Sequence, residues 1–269
     1  MADTLDCDAL NAALQGTIFF GKLHIFPSID STNTLAMQEA AQGAPHGSIY
    51  LAEEQTAGKG RGDHAWHSEP GAGLYVSILL RPQMTPADGL WLSLATGLAV
   101  HQAIENVTGL VADIRWPNDL LLGSRKVGGI LTEMNAETTR VRHAVIGIGI
   151  NVNHRQFPLE LRDLATSLRL ETDRVPSRQD LLVAILECLV SEMDPLMEPA
   201  GFADACDGIL TRLQQKSSWI RGKQVIVDEA GGYTGVTAGL DGNGFLRVQT
   251  ADGMRTVLSG GVRSGSAKG

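Results

Sequence analysis

Apolar residues run along this chain in short blocks cut by glycine and proline, which predicts many short elements. Positions 22–26 predict a strand. Ser31, Thr32 and Asn33 stand where an N-cap belongs, ahead of an Ala-rich helix that Gly43 ends. A second strand is predicted over 48–53, followed by a turn-rich loop from Gln55 to Trp66. Residues 74–80 are strongly apolar and suit a strand. Pro86 opens a long helix over about 87–106, with Gly109 placed as its terminator. Strand candidates follow at 113–116, 127–134 and 141–150. Strands outnumber the helices between them, so a mixed α+β sheet fits better than regular βαβ alternation.

From 177 to about 215 the period is helical, with breaks predicted near Pro195 and Pro199. After Lys216 it changes again. Short strands at 224–228, 234–240, 245–249 and 255–258 are separated by Gly-Gly, Asp-Gly-Asn-Gly and Ala-Asp-Gly turns. That is a hairpin series, the signature of a small barrel of about 50 residues. The expected division is 1–216 and 217–269, with the closing SGSAKG as a tail.

Composition narrows the class. With 43% hydrophobic and 19% charged residues over 269 positions, the chain is globular, and disorder, collagen and coiled coil are excluded. The net charge of −8 argues against coating nucleic acid or an anionic membrane. Cys7, Cys188 and Cys206 lie far apart without a CxxC, as expected of free thiols in a reducing compartment. The start, MADTLDCDAL, lacks the basic end and apolar run of a signal peptide, and 181–190 is too short to span a bilayer. A cytoplasmic protein is expected, with no membrane partner.

Three segments carry candidate chemistry. Gly58-Lys59-Gly60-Arg61-Gly62 alternates glycines with cations, so backbone N–H groups could curl round an anion that the cations neutralise. It has neither P-loop nor dinucleotide-fold spacing, and an ordinary Gly-rich turn explains it equally well. Arg115-Trp116-Pro117-Asn118-Asp119, followed by Arg125-Lys126-Val127-Gly128-Gly129, predicts a hairpin that gathers Asn118, Asp119 and Lys126. Glycines inside an apolar strand mark a bulge or a close approach. Along 147–153 the alternation puts Gly147, Gly149, Asn151 and Asn153 on one face, leaving room for a flat ligand or for another packed element. Trp66 could stack on a base or belong to the core. No HxH or HExxH spacing occurs among the seven histidines, so no metal site made by protein side chains is expected.

Read in order, these segments carry a resemblance. Ser31-Thr32-Asn33, 54–61 ending at Trp66, Gly73 to Ser77, Trp116 to Asp119, Lys126 to Leu131 and Gly147 to Asn151 together resemble the biotin protein ligases. Any one of these motifs is common; the six in this order are not. The resemblance implies an α+β catalytic domain like that of class II aminoacyl-tRNA synthetases, followed by an SH3-like barrel. It implies a two-step reaction: biotin and ATP give biotinyl-5′-AMP, and a lysine of the biotin carboxyl carrier protein of acetyl-CoA carboxylase then takes the biotin. By the same resemblance Ser31, Thr32, Asn33 and Gln55 bind the biotin head group, and Gly58, Lys59, Gly60 and Arg61 close over it. Gly129 and Lys126 complete that site, with Lys126 between carboxylate and phosphate. Trp66 and Asn151 serve the adenine, Asn118 lies near the phosphates, and Asp119 orients or deprotonates the acceptor lysine. Magnesium comes held by ATP oxygens.

The chain departs from the family at three places. Lys59 stands where arginine is usual, with Asp63, His64 and Ala65 in place of a basic run, which bears on how tightly the adenylate is retained. Gly260-Gly261-Val262-Arg263 replaces a Gly-Glu-x-Arg pattern, with Arg263 the candidate for its arginine. About twenty residues precede Lys22, too few for the helix-turn-helix that some members carry, so no nucleic-acid partner is expected. Alternatives are a lipoate or octanoate ligase, a biotin-responsive regulator and a silent ligand-binding module. Oligomeric state, a homodimer included, is left open by the sequence.

Overall fold

The computed structural model describes residues 5–62, 64–172 and 174–265. The chain folds around two sheets. The first has seven strands in the order β1-β2-β3-β7-β6-β5-β4. These are β1 (Leu23–Phe26), β2 (Ile49–Ala52), β3 (Gly73–Leu80), β4 (Asp113–Arg115), β5 (Asp119–Leu122), β6 (Arg125–Ala136) and β7 (Val141–Asn151). Only β1 and β2 run parallel; the other pairings are antiparallel, so the sheet is mixed as expected.

Five helices pack with it: α1 (Cys7–Ala13), α2 (Thr32–Ala41), α3 (Gly89–Thr108), α4 (Arg178–Met197) and α5 (Phe202–Lys216). Helix α3 is apolar nearly all round and sits in the main core, because it is covered by the sheet on one side and by α4 and α5 on the other. A tight turn at Pro86–Asp88 precedes it, so the helix proper begins at Gly89 and not at 87. Gly109 ends it with φ 75°, a left-handed cap that a side chain would strain.

The pleat divides the first sheet cleanly. Leu74, Val76, Ile78 and Leu80 of β3 and Ile146, Ile148 and Ile150 of β7 point into the main core. The opposite face carries a smaller cluster, where Ala36 and Ala40 of α2 cover Tyr50, Leu79 and Val145. Beyond the N-terminal end of α2 the same face carries Ser77, Gly147 and Gly149, and there Ser31, Thr32, Asn33 and Ser77 are all buried. A second sheet follows, ordered β11-β10-β9-β8-β12: β8 (Arg221–Asp228), β9 (Tyr233–Leu240), β10 (Leu246–Thr250), β11 (Gly253–Val257) and β12 (Gly261–Ser264). Its β9–β10 turn leans on α3, and Trp116 Nε1 donates to the Gly244 carbonyl at 2.9 Å.

Several expectations need correction. Strand β5 follows Pro117 directly, a fourth strand where three were expected. The second sheet has five strands, because Gly261–Ser264 forms β12 beyond the four strands expected. Helix α4 runs through Pro195, and the break falls only at 198–201. Pro195 lies on the exposed side of the helix, as does Ser191 one turn before it, whose carbonyl a proline cannot bond. The last four residues of the expected tail, and Asp63, lie outside the described residues. No helix among the described residues is long and apolar enough to cross a membrane.

Arg178, at the start of α4, is buried and joins Glu53 at the end of β2 at 2.6 Å, with the Gly73 carbonyl 3.3 Å away. This pair ties helix to sheet beside the polar face. Replacing Arg178 by Met leaves a half-buried carboxylate without its partner and is expected to cost about 2–3 kcal/mol. Urea unfolding of the variant measures it, and a loss below about 0.5 kcal/mol would show that water replaces the pair.

Candidate active site

The register of the first sheet sets up the site. Ser77, Gly147 and Leu131 lie in one row across β3, β7 and β6. Tyr75, Gly149, Gly129 and Asp119 form the next row and extend it to β5. Side chains in such rows share one face, and here three neighbouring positions, Gly147, Gly149 and Gly129, are bare. A Cβ on Gly147 would collide with Asn33 Oδ1. One on Gly149 would stand 2.5 Å from Trp66 Cε2, and one on Gly129 would stand 3.0 Å from Trp66 Cζ3. The glycines admit Asn33 and the Trp66 ring onto the sheet. Asn33 and Trp66 thus pack on this face, and Gly129, Gly147 and Gly149 also line the recess beside them.

A first recess opens at the N-terminus of α2. Ser31, Thr32, Asn33 and Ser77 are all buried. Ser31 caps the helix by accepting from the Thr34 N–H, so its neighbours are fixed in place. Gln55 Oε1 accepts from the Thr32 N–H at 2.9 Å and faces the Thr32 hydroxyl at 3.1 Å. The Ser77 hydroxyl lies 2.8 Å from Thr32 Oγ1 and 2.5 Å from Asn33 Oδ1, while Asn33 Nδ2 donates to Glu133 at 2.8 Å. This is a pre-oriented network of donors and acceptors. Lys59, Gly60, Arg61, Trp66, Asn118, Lys126 and Gly129 complete the lining.

The Gly-rich loop is a miniature hairpin. Lys59 bridges to Ala65, Gly60 N–H donates to the His64 carbonyl at 2.7 Å, and Trp66 N–H donates to the Gly58 carbonyl at 2.8 Å. Gly58 is needed because a Cβ would press on the Trp66 carbonyl. The hairpin lays Trp66 on the glycine face, and Trp66 Nε1 is buried without an acceptor. Arg61 donates to Asn118 Oδ1 at 3.2 Å and to the Ser259 carbonyl of the second sheet at 2.5 Å. Burial pulls its guanidinium below the ordinary value while Asp119 works the other way, and it stays a cation at neutral pH.

Lys126 meets Asp119 at 2.5 Å, and Arg115 holds the other carboxylate oxygen at the same distance. Burial pushes the Asp119 carboxyl up, but Lys126 and Arg115 together outweigh it and hold the group below the usual carboxylate range. The Lys126 ammonium also stands 5.3 Å from the Trp66 ring centre, a cation–π contact. Asn118 turns its amide to the Ile130 carbonyl at 2.8 Å. The hairpin expected to gather Asn118, Asp119 and Lys126 does so.

A second recess, more apolar, lies beyond Trp66. Leu121, Asn151, Phe157, Leu161, Leu164 and Ala165 line it. Lys126 pairs along its backbone with the 164–166 segment, which forms the wall. Asn151 is buried and donates to the Thr166 carbonyl at 3.0 Å. Trp66 and Lys126 are the two residues common to both recesses. Arg263 also lines this recess; it is mostly exposed and pairs with Asp228 at 2.7 Å. Two participants went unforeseen. Ser77 was hidden in an apolar run, although its place opposite Gly147 marks it. Arg115 looked like a surface cation, but it shares Asp119 with Lys126.

The chain matches the biotin/lipoate A/B protein ligase family over residues 25–151 and the biotin protein ligase C-terminal domain over 221–262. The bifunctional ligase/repressor BirA of Bacillus subtilis is 35% identical over 246 residues, covering 88% of this chain and 72% of that protein. The biotin–[acetyl-CoA-carboxylase] ligase of Mycobacterium tuberculosis is 31% identical, covering 88% and 86%. Among solved structures, the Aquifex aeolicus biotin protein ligase in complex with biotin and ATP superposes with a TM-score of 0.77 at 28% identity, covering 91% of this chain and all of that one. With the bare glycine rows, the Gly-rich hairpin and the second sheet all in place, the chain belongs to the biotin/lipoate A/B protein ligase family, on its biotin protein ligase branch.

Proposed function

We propose that this chain joins biotin to ATP, giving biotinyl-5′-AMP and pyrophosphate, and then passes the biotinyl group to a lysine of the biotin carboxyl carrier protein of acetyl-CoA carboxylase. One observation supports this most directly. A polar recess and an apolar recess meet at Lys126 and Trp66, where a carboxylate and an α-phosphate would have to be joined. The buried hydroxyls and amides of Ser31, Thr32, Asn33, Ser77 and Gln55 suit a ureido ring, which both donates and accepts. A dithiolane or alkyl chain would leave them unpaired, and that favours biotin over lipoate or octanoate.

In the first step a carboxylate oxygen of biotin attacks the α-phosphorus, and the bond to pyrophosphate breaks. Two anions must approach, and charge builds on the phosphoryl oxygens. Lys126 spends one N–H on Asp119 and keeps two for these oxygens, while Arg61 and the amides of the Gly-rich hairpin supply the rest. Trp66 and Asn151 hold the adenine in the apolar recess. The lining of the polar recess contains no carboxylate, and Asp119 is already saturated by two cations. Magnesium therefore arrives on ATP, held by phosphate oxygens, and supplies charge neutralisation there. In the second step the carrier amine attacks the acyl carbon, loses a proton, and AMP leaves. Asp119, held below its usual pKa, is a poor base for that proton, so its part is to fix Lys126 and Arg115.

Lys126→Ala is expected to lower biotin-dependent ATP–pyrophosphate exchange by about 10²–10³, with the fold retained. Exchange near the wild-type rate would remove Lys126 from the chemistry, and wild-type exchange with biotin but not with lipoate or octanoate would fix the substrate.

Lys59 supplies a compact, well-hydrated charge where guanidinium would grip an anion through two parallel bonds. Lys59→Arg is expected to slow the release of biotinyl-5′-AMP, by an amount worth up to about 1–2 kcal/mol. A chase of labelled adenylate without acceptor measures it. Equal or faster release would mean that the hairpin holds the adenylate through backbone amides alone.

A further inference from the structure

Just past Trp66 the chain carries His67 and Glu69, and just past β7 it carries His154. One ligand atom from each of the three lies within 4.8 Å of the other two. His154 is fully buried. Its ring stacks on Phe157 with centroids 5.1 Å apart, and the His67 ring stands 5.9 Å away. The Tyr75 hydroxyl donates to the Glu69 carbonyl at 3.0 Å and lies 3.4 Å from His154 Nε2. A phenol has one proton to give. With that proton on the carbonyl, the Tyr75 oxygen accepts from Nε2–H, which fixes the tautomer and leaves a lone pair on Nδ1. His154 Nδ1 is buried and has no partner. A buried imidazole lone pair with its other nitrogen anchored is the form in which histidine binds a metal.

We propose that His67, Glu69 and His154 form a binding site for a divalent transition metal of the zinc type. Two imidazoles and a carboxylate suit zinc and its neighbours, whereas magnesium and calcium want an all-oxygen shell. Three protein ligands leave a fourth position for water, on the side where Glu69 is exposed. Tetrahedral ligands about 2.0–2.1 Å from zinc lie about 3.4 Å apart, so the ligand atoms close in by about 1.4 Å at most. Tyr75 acts behind the site by orienting His154. The spacing of the histidines along the sequence predicts no such site, because the fold brings together residues from two distant segments. A bound ion would tie the segment leaving Trp66 to the strand end that carries Asn151, both of which line the apolar recess. The site lies outside the steps of the ligase reaction.

The test uses the full chain without affinity tag, stripped with EDTA and with its cysteines alkylated. Titration with Zn²⁺ followed by calorimetry is expected to show one equivalent bound, and Co²⁺ is expected to give the visible d–d bands of a four- or five-coordinate ion. His67→Asn and Glu69→Gln are each expected to weaken Zn²⁺ binding at least about tenfold, with the far-ultraviolet circular dichroism unchanged. No stoichiometric binding, binding unaltered in both variants, or Mg²⁺ displacing Zn²⁺ at equal concentration would each overturn the proposal. Binding present only before alkylation would do the same, by placing the ion on a thiol.

Discussion

The site depends on how closely two side chains approach the sheet at Gly147 and Gly149. Asn33 and Trp66 come from different parts of the chain, one from a helix N-terminus and one from the base of a hairpin, and both rest where a side chain would otherwise stand. Because these glycines are next neighbours on one face of β7, the polar recess and the apolar recess must share a wall. Trp66 is that wall, and the Lys126 ammonium lies against it. Filling either bare position would displace one occupant and separate the two halves of the cleft. The chemistry of joining a carboxylate to a phosphate needs those halves in contact, so the constraint is set by the backbone before any catalytic side chain is considered.

Charge is balanced at the same point. Asp119 lies in the row of Gly149 and Gly129, and it draws Lys126 and Arg115 to itself. Two cations on one carboxylate leave net positive charge facing the cleft, to which Arg61 adds. Burial alone would push the Asp119 carboxyl up, and the two cations are what hold it down. The group that anchors the cations is therefore unsuited to take up protons itself. The two groups come from neighbouring strands, Asp119 from the start of β5 and Lys126 from the start of β6.

Much of this was legible in the sequence, for identifiable reasons. Ser31 ahead of an Ala-rich stretch and Gly109 behind an apolar one are local signals with local causes, and each helix begins or ends there. The glycines in β6 and β7 advertised a bare face, although sequence could not say whether a ligand or a side chain covers it. Ser77 escaped notice because one hydroxyl in an apolar run changes no pattern; only its register opposite Gly147 gives it meaning. Strand β5 was missed since four residues directly after a turn carry too little period to detect. Arg263 was nominated from its motif, and the pairing of β12 with β8 sets it beside Asp228 while it still lines the apolar recess. Across these cases local chemistry was readable, and what was missed was either too short to show a period, as in β5, or depended on a partner distant in the chain, as for Ser77.

Arg61 shows how the second sheet enters the site. Its guanidinium makes one bond to Asn118, at the turn into β5, and one to the Ser259 carbonyl, between β11 and β12. Ser259 is held in turn by Glu229, which accepts from the backbone N–H of both Leu258 and Ser259. The cation at the mouth of the cleft is thus positioned by groups on both sheets. Trp116 adds a second link by donating to Gly244, so the small sheet cannot tilt about one contact without straining the other. An arginine already bonded to two neutral oxygens is oriented but not charge-neutralised. An arriving phosphate would compete with a carbonyl and an amide for its N–H groups rather than with a carboxylate. That competition favours the anion, since charged hydrogen bonds are roughly twice as strong as neutral ones. The second sheet can therefore hold Arg61 in place in the free protein and still yield it when the phosphate binds.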